Sequence, residues 1–155
     1  KAEEILATHP DGIMLSNGPG DPKTCTDIIE EVRKLYESDV PIFAICLGHQ
    51  LMALANGGDT HKLKYGHRGG NHPVKDLSNN RVYISSQNHG YVVDDATLSD
   101  EIATPAFVNV NDGTNEGLKY TGKKIFTVQF HPEAVCTEYG HALLNNFCKI
   151  AEQRG

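Results

Sequence analysis

The sequence comprises 155 residues with a net charge of −6, and 39% of its residues are hydrophobic. A chain of this length can bury a sizeable core as one domain, and its acidic balance argues against a nucleic-acid-binding surface. It contains no apolar run long enough to span a membrane. Its four cysteines form no CxxC pair, so we expect reduced thiols and a cytoplasmic location.

The first half of the chain alternates between strand-like and helix-like segments. Residues 12–16 form a short apolar run that predicts a strand, and the loop at 17–22 follows it with two glycines and two prolines. Asp21 can cap the next helix, because apolar residues recur at helical spacing over residues 28–36. A second apolar run at 41–45 predicts a fully buried strand. This order favours a parallel sheet covered by helices.

Cys46 stands where the second apolar run turns into a helix-like stretch. Leu47 and Gly48 follow it, and apolar residues then recur at helical spacing up to residue 55. A strand that turns sharply into a helix, with a nucleophile at the corner and glycine two residues on, is typical of a nucleophile elbow. The helix N-terminus would also favour a thiolate. The alternative is a buried core cysteine, because free cysteines are among the most buried residues.

The character of the sequence changes in its second half. Residues 60–74 are rich in His, Gly and Lys without a clear period, and we interpret them as a loop. Residues 81–87 alternate like a strand. Residues 107–110 and 117–120 predict an antiparallel hairpin around an Asn-Asp-Gly turn. The apolar run at 125–130 predicts one more strand.

Polar or glycine-rich segments follow several of the predicted strands. Cys46, Asn88 and His131 each come directly after one, and the glycines of residues 18–20 follow another. The carboxyl ends of parallel strands form the ligand crevice of an open α/β sheet. A cysteine nucleophile needs a base and a third group that orients the base, and His131 with Glu133 supplies both. Alone, His131 would be an ordinary strand-end histidine, but its occurrence with the Cys46 corner favours a catalytic pair.

Several segments resemble known enzymes. The sequence AICLGHQ at 44–50, together with QFHPEA at 129–134, resembles the signature of class I glutamine amidotransferases. LSNGPGDP at 15–22, GHRGGNHPV at 66–74 and SQNHGY at 86–91 are similar to the amidotransferase domain of carbamoyl phosphate synthetase small subunits. The resemblance implies an α/β fold with an open, mostly parallel, flavodoxin-like sheet that is flanked by helices and carries an antiparallel hairpin.

The resemblance implies a role for each matching residue. Cys46 would attack the carboxamide of glutamine, His131 would exchange the protons, and Glu133 would orient His131. A γ-glutamyl thioester would form and be hydrolysed, with the oxyanion held by backbone N–H groups of Leu47 and of the loop at Gly18. The positions that match glutamine-binding residues of the family are Gly18, Gly20, Leu47, Gln50, Asn88, Gly90 and Tyr91.

The resemblance also implies a partner. The chain would supply ammonia to the large subunit of carbamoyl phosphate synthetase, in arginine or pyrimidine biosynthesis, and ATP and Mg would bind there. We expect no cofactor in this chain, since it has no GxxxxGK[ST] motif. Residues 1–155 would form one amidotransferase domain whose first elements are missing, because the chain begins at Lys1 within a predicted helix end. The alternatives are the glutaminase component of anthranilate or another synthase, and a catalytically silent binding module.

Other residues have ordinary interpretations. The alternative for Gln50 is the helix surface and for Asn88 a turn, while His89 has no assigned chemical role. The chain also departs from the family at residues 135–138, where a Pro-Gly-Pro-containing loop is usual.

Three histidines lie in the segment interpreted as a loop. The spacing of His61, His67 and His72 fits no standard zinc pattern, so we expect no metal there. We expect residues 67–72 to shape a loop at the domain edge, near the partner subunit.

Overall fold

A computed structural model of the chain describes residues 2–8, 12–15 and 21–130. Short 3₁₀ turns occur at Pro22–Thr24 and Asp95–Thr97. The helices are α1 (Ala2–Leu6), α2 (Thr26–Glu37) and α3 (Leu47–Ala55). The strands are β1 (Ile13–Leu15), β2 (Ile42–Ile45), β3 (Asp59–Asp76), β4 (Arg81–Asp94), β5 (Ala103–Asn109), β6 (Asn115–Tyr120) and β7 (Ile125–Val128).

All of these strands join one sheet in the order β1-β2-β7-β6-β5-β3-β4. β2 pairs in parallel with β1 on one side and with β7 on the other. The remaining neighbours pair antiparallel. The predicted α/β fold with an open sheet and flanking helices is therefore confirmed. The prediction of a mostly parallel sheet is wrong for the described strands, because only β1, β2 and β7 pair in parallel and the antiparallel part extends beyond the one predicted hairpin.

β2 is the centre of the hydrophobic core. Every residue of the strand is buried, as expected for a parallel strand covered on both faces. Ile42 packs into a cluster with apolar residues of α2 and α3, whereas Phe43 and Ile45 pack on the opposite face. Phe43 meets Phe126 edge to face, with ring centroids 5.8 Å apart. Both faces of the sheet thus fix the position at which β2 ends.

The prediction of a loop at residues 60–74 is wrong, because these residues belong to the long strand β3. β3 pairs with β4 along most of its length, but the register shifts between Lys62 and His67 and again between Gly69 and His72. Gly66 and Gly69 have φ values of 72° and 104° near these irregularities. Backbone conformations of this kind suit glycine and accompany β-bulges, which break the alternation of side chains. The strand therefore shows no period of two in its sequence.

Residues 88–91 also differ from expectation, because they lie inside β4 and do not follow a strand. Asn88 pairs with Arg68, and Tyr91 pairs with Lys62. The prediction stopped at residue 87 because the Asn-His-Gly sequence has low strand propensity. Pairing with the long strand β3 outweighs that local preference.

The structure also tests the predicted helix cap and the predicted hairpin. Asp21 caps the 3₁₀ turn at Pro22–Thr24 by accepting a hydrogen bond from the backbone N–H of Lys23 at 2.9 Å. It does not cap α2 itself as predicted, because that helix begins at Thr26 with Cys25 as its N-cap. The predicted hairpin is formed by β5 and β6, with Gly113 at φ 73° in the turn. In the described part of the chain, no helix combines the length and apolar character needed to cross a lipid bilayer.

Gly48, in the first turn of α3, lets this helix approach β1 closely. A Cβ atom at this position would lie 2.7 Å from the carbonyl oxygen of Leu15 and 2.9 Å from its Cβ. Both distances are shorter than van der Waals contact, and the backbone oxygen cannot rotate away. Glycine is therefore required at position 48 for α3 to pack against β1.

We expect Gly48→Ala to destabilise the protein by about 1–3 kcal/mol, as other overpacked sites do. The gain in helix propensity of up to about 1 kcal/mol is too small to offset the clash in full. Urea unfolding followed by circular dichroism measures the difference.

Gly90→Ala is the matched control. A Cβ atom there would meet Arg68 Nη2 at an ordinary 3.7 Å, so we expect a stability change within about 0.5 kcal/mol. Equal effects of the two substitutions would contradict the packing requirement at Gly48.

Candidate active site

Cys46 occupies the corner between β2 and α3, as predicted. Its backbone has φ 55° and ψ −109°, a conformation that a residue with a side chain adopts only at a cost in energy. Its N–H donates to the carbonyl of Val128 at 2.8 Å, and its carbonyl accepts from the N–H of Gln50 at 3.1 Å. These bonds to β7 and α3 hold the strained corner in place.

His49 also attaches α3 to the sheet. The side chain is fully buried, and its Nδ1 lies 2.8 Å from Thr127 Oγ1 on β7. Burial lowers the pKa of His49 to about 3, mainly because the charged imidazolium would lose its hydration. This neutral histidine therefore ties the first turn of α3 to the strand beside β2.

Gln50 lies in the interior. Only 3% of the residue is exposed, which excludes the helix-surface interpretation. Its Nε2 donates to the carbonyl of Tyr91 and to Gln129 Oε1, each at 2.9 Å. The Gln129 side chain in turn donates from Nε2 to Cys46 Sγ at 3.5 Å. The structure thus brings together three residues singled out from the sequence, Cys46, Gln50 and Tyr91, around the buried amide of Gln129.

His89 supports the same region from β4. Its Nδ1 lies 2.7 Å from the carbonyl of Tyr91, and its Nε2 lies 2.7 Å from Gln87 Oε1. Burial lowers the pKa of His89 to about 4. The carbonyl of Tyr91 opposes this lowering of the pKa, because it favours a proton on the Nδ1 that faces it. The imidazole fixes the backbone at Tyr91 and so contributes to the position of Gln50.

A buried carboxyl group, which the sequence did not indicate, lies behind His89. Glu116 on β6 is fully buried, and its Oε2 accepts hydrogen bonds from Gln87 Nε2 and Asn109 Nδ2, each at 2.9 Å. Its Oε1 has no hydrogen-bond partner among the described residues. Burial raises the pKa of Glu116 to about 7, since the carboxylate loses its hydration. The sequence feature that could have pointed to this group is a glutamate immediately before the predicted strand at 117–120.

His67 connects this group to the β5–β6 turn. Its Nε2 lies 2.6 Å from Asp112 Oδ2, and its Nδ1 lies 3.3 Å from His89 Nε2. His67 is only 6% exposed. The expectation that it shapes a loop at the domain edge is therefore wrong, because β3 extends through this position and turns the imidazole inward. Among the described residues, no group of His, Cys, Asp and Glu side chains is arranged to hold a metal ion.

Leu47 is the first residue of α3, and Gly90 lies within β4. The remaining predicted site residues lie outside the described part of the structure. These are His131 and Glu133, the glycines at 18 and 20, and the side chain of Asn88. The strands that precede the first four of these residues in the sequence, β7 before residues 131 and 133 and β1 before residues 18 and 20, lie on either side of β2, which ends just before Cys46. Val128 pairs with Ile45 on one side, and Leu15 pairs with Ala44 on the other. Their roles remain predictions.

Fold and site together define an α/β protein with a buried cysteine at a strained strand–helix corner. Residues 1–151 match the profile of the family described as "Glutamine amidotransferase class-I". The chain belongs to this family. It is also similar to the solved structure of a glutamine amidotransferase from Thermotoga maritima, at 21% identity over 93% of this chain and 65% of that one, with a TM-score of 0.65, a likeness that shows the fold.

Two curated relatives are more similar in sequence. The carbamoyl phosphate synthase small chain of Methanopyrus kandleri is 56% identical over 133 residues, which cover 86% of this chain and 37% of the relative. That of Escherichia coli is 49% identical over 98% of this chain and 40% of the relative. The chain thus spans only about two fifths of the length of the curated relatives that it matches.

The buried position of Glu116 predicts a pH-dependent stability. Its pKa is higher in the folded protein, about 7, than the ordinary value of 4.5, so the folded state binds the proton more tightly. The stabilisation is present below about pH 4.5 and is lost as the pH rises through about 7, a change on the order of 3 kcal/mol. Glu116→Gln removes this titration. We expect the unfolding free energy of the variant to rise relative to that of the unmodified protein by about 2–3 kcal/mol between about pH 5 and about pH 8.

Urea unfolding at a series of pH values measures this difference. The exposed Glu101→Gln serves as the control, for which we expect a constant difference across the same range. A flat difference for Glu116→Gln as well would show that Glu116 is not buried as described.

Proposed function

We propose that this chain hydrolyses glutamine to glutamate and ammonia, with Cys46 as the nucleophile, and supplies the ammonia for carbamoyl phosphate synthesis. Membership of the class I amidotransferase family supports the glutamine chemistry. The names of relatives at 49–56% identity support the particular synthase. The observation that carries the proposal is the strained corner at Cys46, because such strain persists only where surrounding structure enforces it and is common at active sites.

The reaction proceeds in two halves. The Cys46 sulfur attacks the side-chain carbonyl carbon of glutamine, and His131 takes the thiol proton and gives it to the departing ammonia. A γ-glutamyl thioester remains on Cys46. Water, deprotonated by His131, then attacks the thioester, and the bond to sulfur breaks to give glutamate and the free thiol. Glu133 keeps the imidazole of His131 in the required orientation.

Backbone N–H groups stabilise the oxyanion that forms in each half. Leu47 is the first residue of α3, so its N–H has no partner within the helix. Together with an N–H from the loop at Gly18, it would bind the oxyanion, and one such donor contributes roughly 3 kcal/mol to catalysis. The positive end of the α3 dipole acts in the same direction.

Glutamine binds through Gly20, Gln50, Asn88, Gly90 and Tyr91. The contacts of Gln50 support a specific part in this binding. Its side-chain nitrogen already donates to Tyr91 and Gln129, so the atom left for the substrate is the carbonyl oxygen. A carbonyl oxygen accepts hydrogen bonds, and we therefore assign it to the α-ammonium group of glutamine.

The partner in this proposal is the large subunit of carbamoyl phosphate synthetase, with which the chain would form a heterodimer. ATP and Mg would bind to that subunit, and no cofactor would bind to this chain. A structure from Thermoplasma acidophilum, provisionally described as a component of GMP synthase, is also similar, with a TM-score of 0.83 over 98% of this chain and 77% of that one. Its 25% identity is less than half that of the relative from Methanopyrus kandleri, which favours the carbamoyl phosphate enzyme.

We expect Cys46→Ser to lower the rate of glutamine hydrolysis by at least about a thousandfold, because removing a nucleophile eliminates the covalent route. Glutamate release is measured on the chain alone and with the large subunit. In the complex, carbamoyl phosphate formation from free ammonia is expected to continue, since that substrate bypasses Cys46.

Cys25→Ser is the control. This half-buried thiol lies at the start of α2 and contacts the carbonyl of Asp21, so we expect activity within about twofold of the unmodified protein. Unchanged hydrolysis in Cys46→Ser would exclude the proposed mechanism. A different result would exclude only the proposed partner. In that case Cys46→Ser loses hydrolysis, but the unmodified chain together with the large subunit forms no carbamoyl phosphate from glutamine.

A further inference from the structure

Gln129 is a fully buried amide directly beside the thiol of Cys46. It follows β7, and its backbone N–H donates to the carbonyl of Glu116 at 2.8 Å. Its side chain makes two hydrogen bonds: Nε2 donates to Cys46 Sγ at 3.5 Å, and Oε1 accepts from Gln50 Nε2 at 2.9 Å. Burying a side-chain amide costs free energy unless both of its ends are bonded. Gln129 meets this condition by connecting a nucleophile to a substrate-binding residue.

The orientation of this amide follows from its neighbours. The carbonyl of Tyr91 can only accept a hydrogen bond, so the Gln50 atom that faces it, at 2.9 Å, must be the nitrogen. The second hydrogen of that nitrogen points to Gln129, which must therefore present its oxygen to Gln50. The opposite end of the Gln129 amide, which faces sulfur, is then the nitrogen. A backbone carbonyl thus determines, through two side chains, which atom meets the nucleophile.

The orientation of the Gln129 amide affects the chemistry at the Cys46 sulfur. An N–H group directed at Cys46 Sγ stabilises a thiolate, which is the reactive form of cysteine, whereas a carbonyl oxygen there would repel it. The thiol is buried, so little water competes with the amide. The same two hydrogen bonds, to Tyr91 and to Gln129, use the side-chain nitrogen of Gln50 and leave its carbonyl oxygen as the atom that can accept a hydrogen bond from the substrate.

We propose that Gln129 is a positioning residue, which stabilises the thiolate form of Cys46 and holds the side chain of Gln50 in a fixed orientation beside it. The proposal rests on the function proposed above for Cys46 and Gln50. It extends the site to a residue outside the predicted set. Gln129 would act in each half of the reaction by stabilising sulfur when it carries negative charge.

Two substitutions of nearly the same size separate polarity from packing. Gln129→Met removes both hydrogen bonds and keeps the volume. Gln129→Glu can still accept from Gln50, but it places an oxygen against the sulfur. The readout is the rate at which iodoacetamide alkylates Cys46 as a function of pH, followed by mass spectrometry of the peptide that contains Cys46.

We expect the midpoint of this pH profile to rise by on the order of one pH unit in Gln129→Met, and further in Gln129→Glu. At pH values well below the midpoint, alkylation would fall about tenfold in the methionine variant, since about tenfold less thiolate is present there. The value of kcat for glutamine hydrolysis should decrease by a similar factor. Asn115→Leu is the matched control, because Asn115 is another buried side-chain amide but its bonds lead to Asp95 and Gly117. We expect its alkylation midpoint to stay unchanged.

Circular dichroism at each pH confirms that the variants remain folded. The proposal is overturned if the midpoints of both Gln129 variants match that of the unmodified protein, or if Asn115→Leu shifts as much as Gln129→Met. The proposed function has a separate test in the hydrolysis assay of the unmodified protein. Shifted midpoints in a protein that does not hydrolyse glutamine would reject that function and, with it, the substrate-aligning part of the proposal, while retaining the effect on sulfur.

Discussion

The strained backbone of Cys46 is the constraint on which the arrangement of the site depends. A residue with a side chain adopts φ 55° and ψ −109° only when its surroundings leave no alternative. Here β2 is buried on both faces and paired with β1 and β7, so the strand cannot move to relieve the corner. The close contact of Gly48 with Leu15 and the bond from His49 to Thr127 fix the start of α3. The core thus contributes to function by holding one residue in a conformation that is costly to maintain.

Polar groups around the corner extend this rigidity into the antiparallel half of the sheet. A continuous series of hydrogen bonds leads from Glu116 through Gln87 and His89 to the carbonyl of Tyr91, and from there through two further amides to Cys46. A buried network of this kind is favourable only when its members are satisfied, because each unpaired polar group costs free energy. Within the described part of the chain, Glu116 Oε1 has no hydrogen-bond partner, and burial raises the pKa of this carboxyl group. The network bears its cost in free energy at this residue.

The sequence allowed prediction of the parts that are determined locally. An apolar run, a cysteine and Gly48 define the corner within a few residues, and the prediction of strand, turn and helix was confirmed. β3 was missed because bulges at Gly66 and Gly69 interrupt the alternation from which strands are recognised. Glu116 was missed because its partners, Gln87 and Asn109, come from other strands and only the folded sheet brings them together. The role inferred for Gln129 likewise depends on contacts that are distant in sequence, although the residue itself lies within a recognised motif.

The central claim is that Cys46 reacts covalently with glutamine. Its most direct test is to incubate the protein with an electrophilic glutamine analogue and to locate the adduct by mass spectrometry, with and without excess glutamine. The account predicts one adduct per chain, on Cys46, and its suppression by glutamine but not by glutamate, because the site binds the side-chain amide. An adduct distributed over Cys25, Cys136 and Cys148, or labelling of Cys46 that glutamine does not slow, would contradict the account.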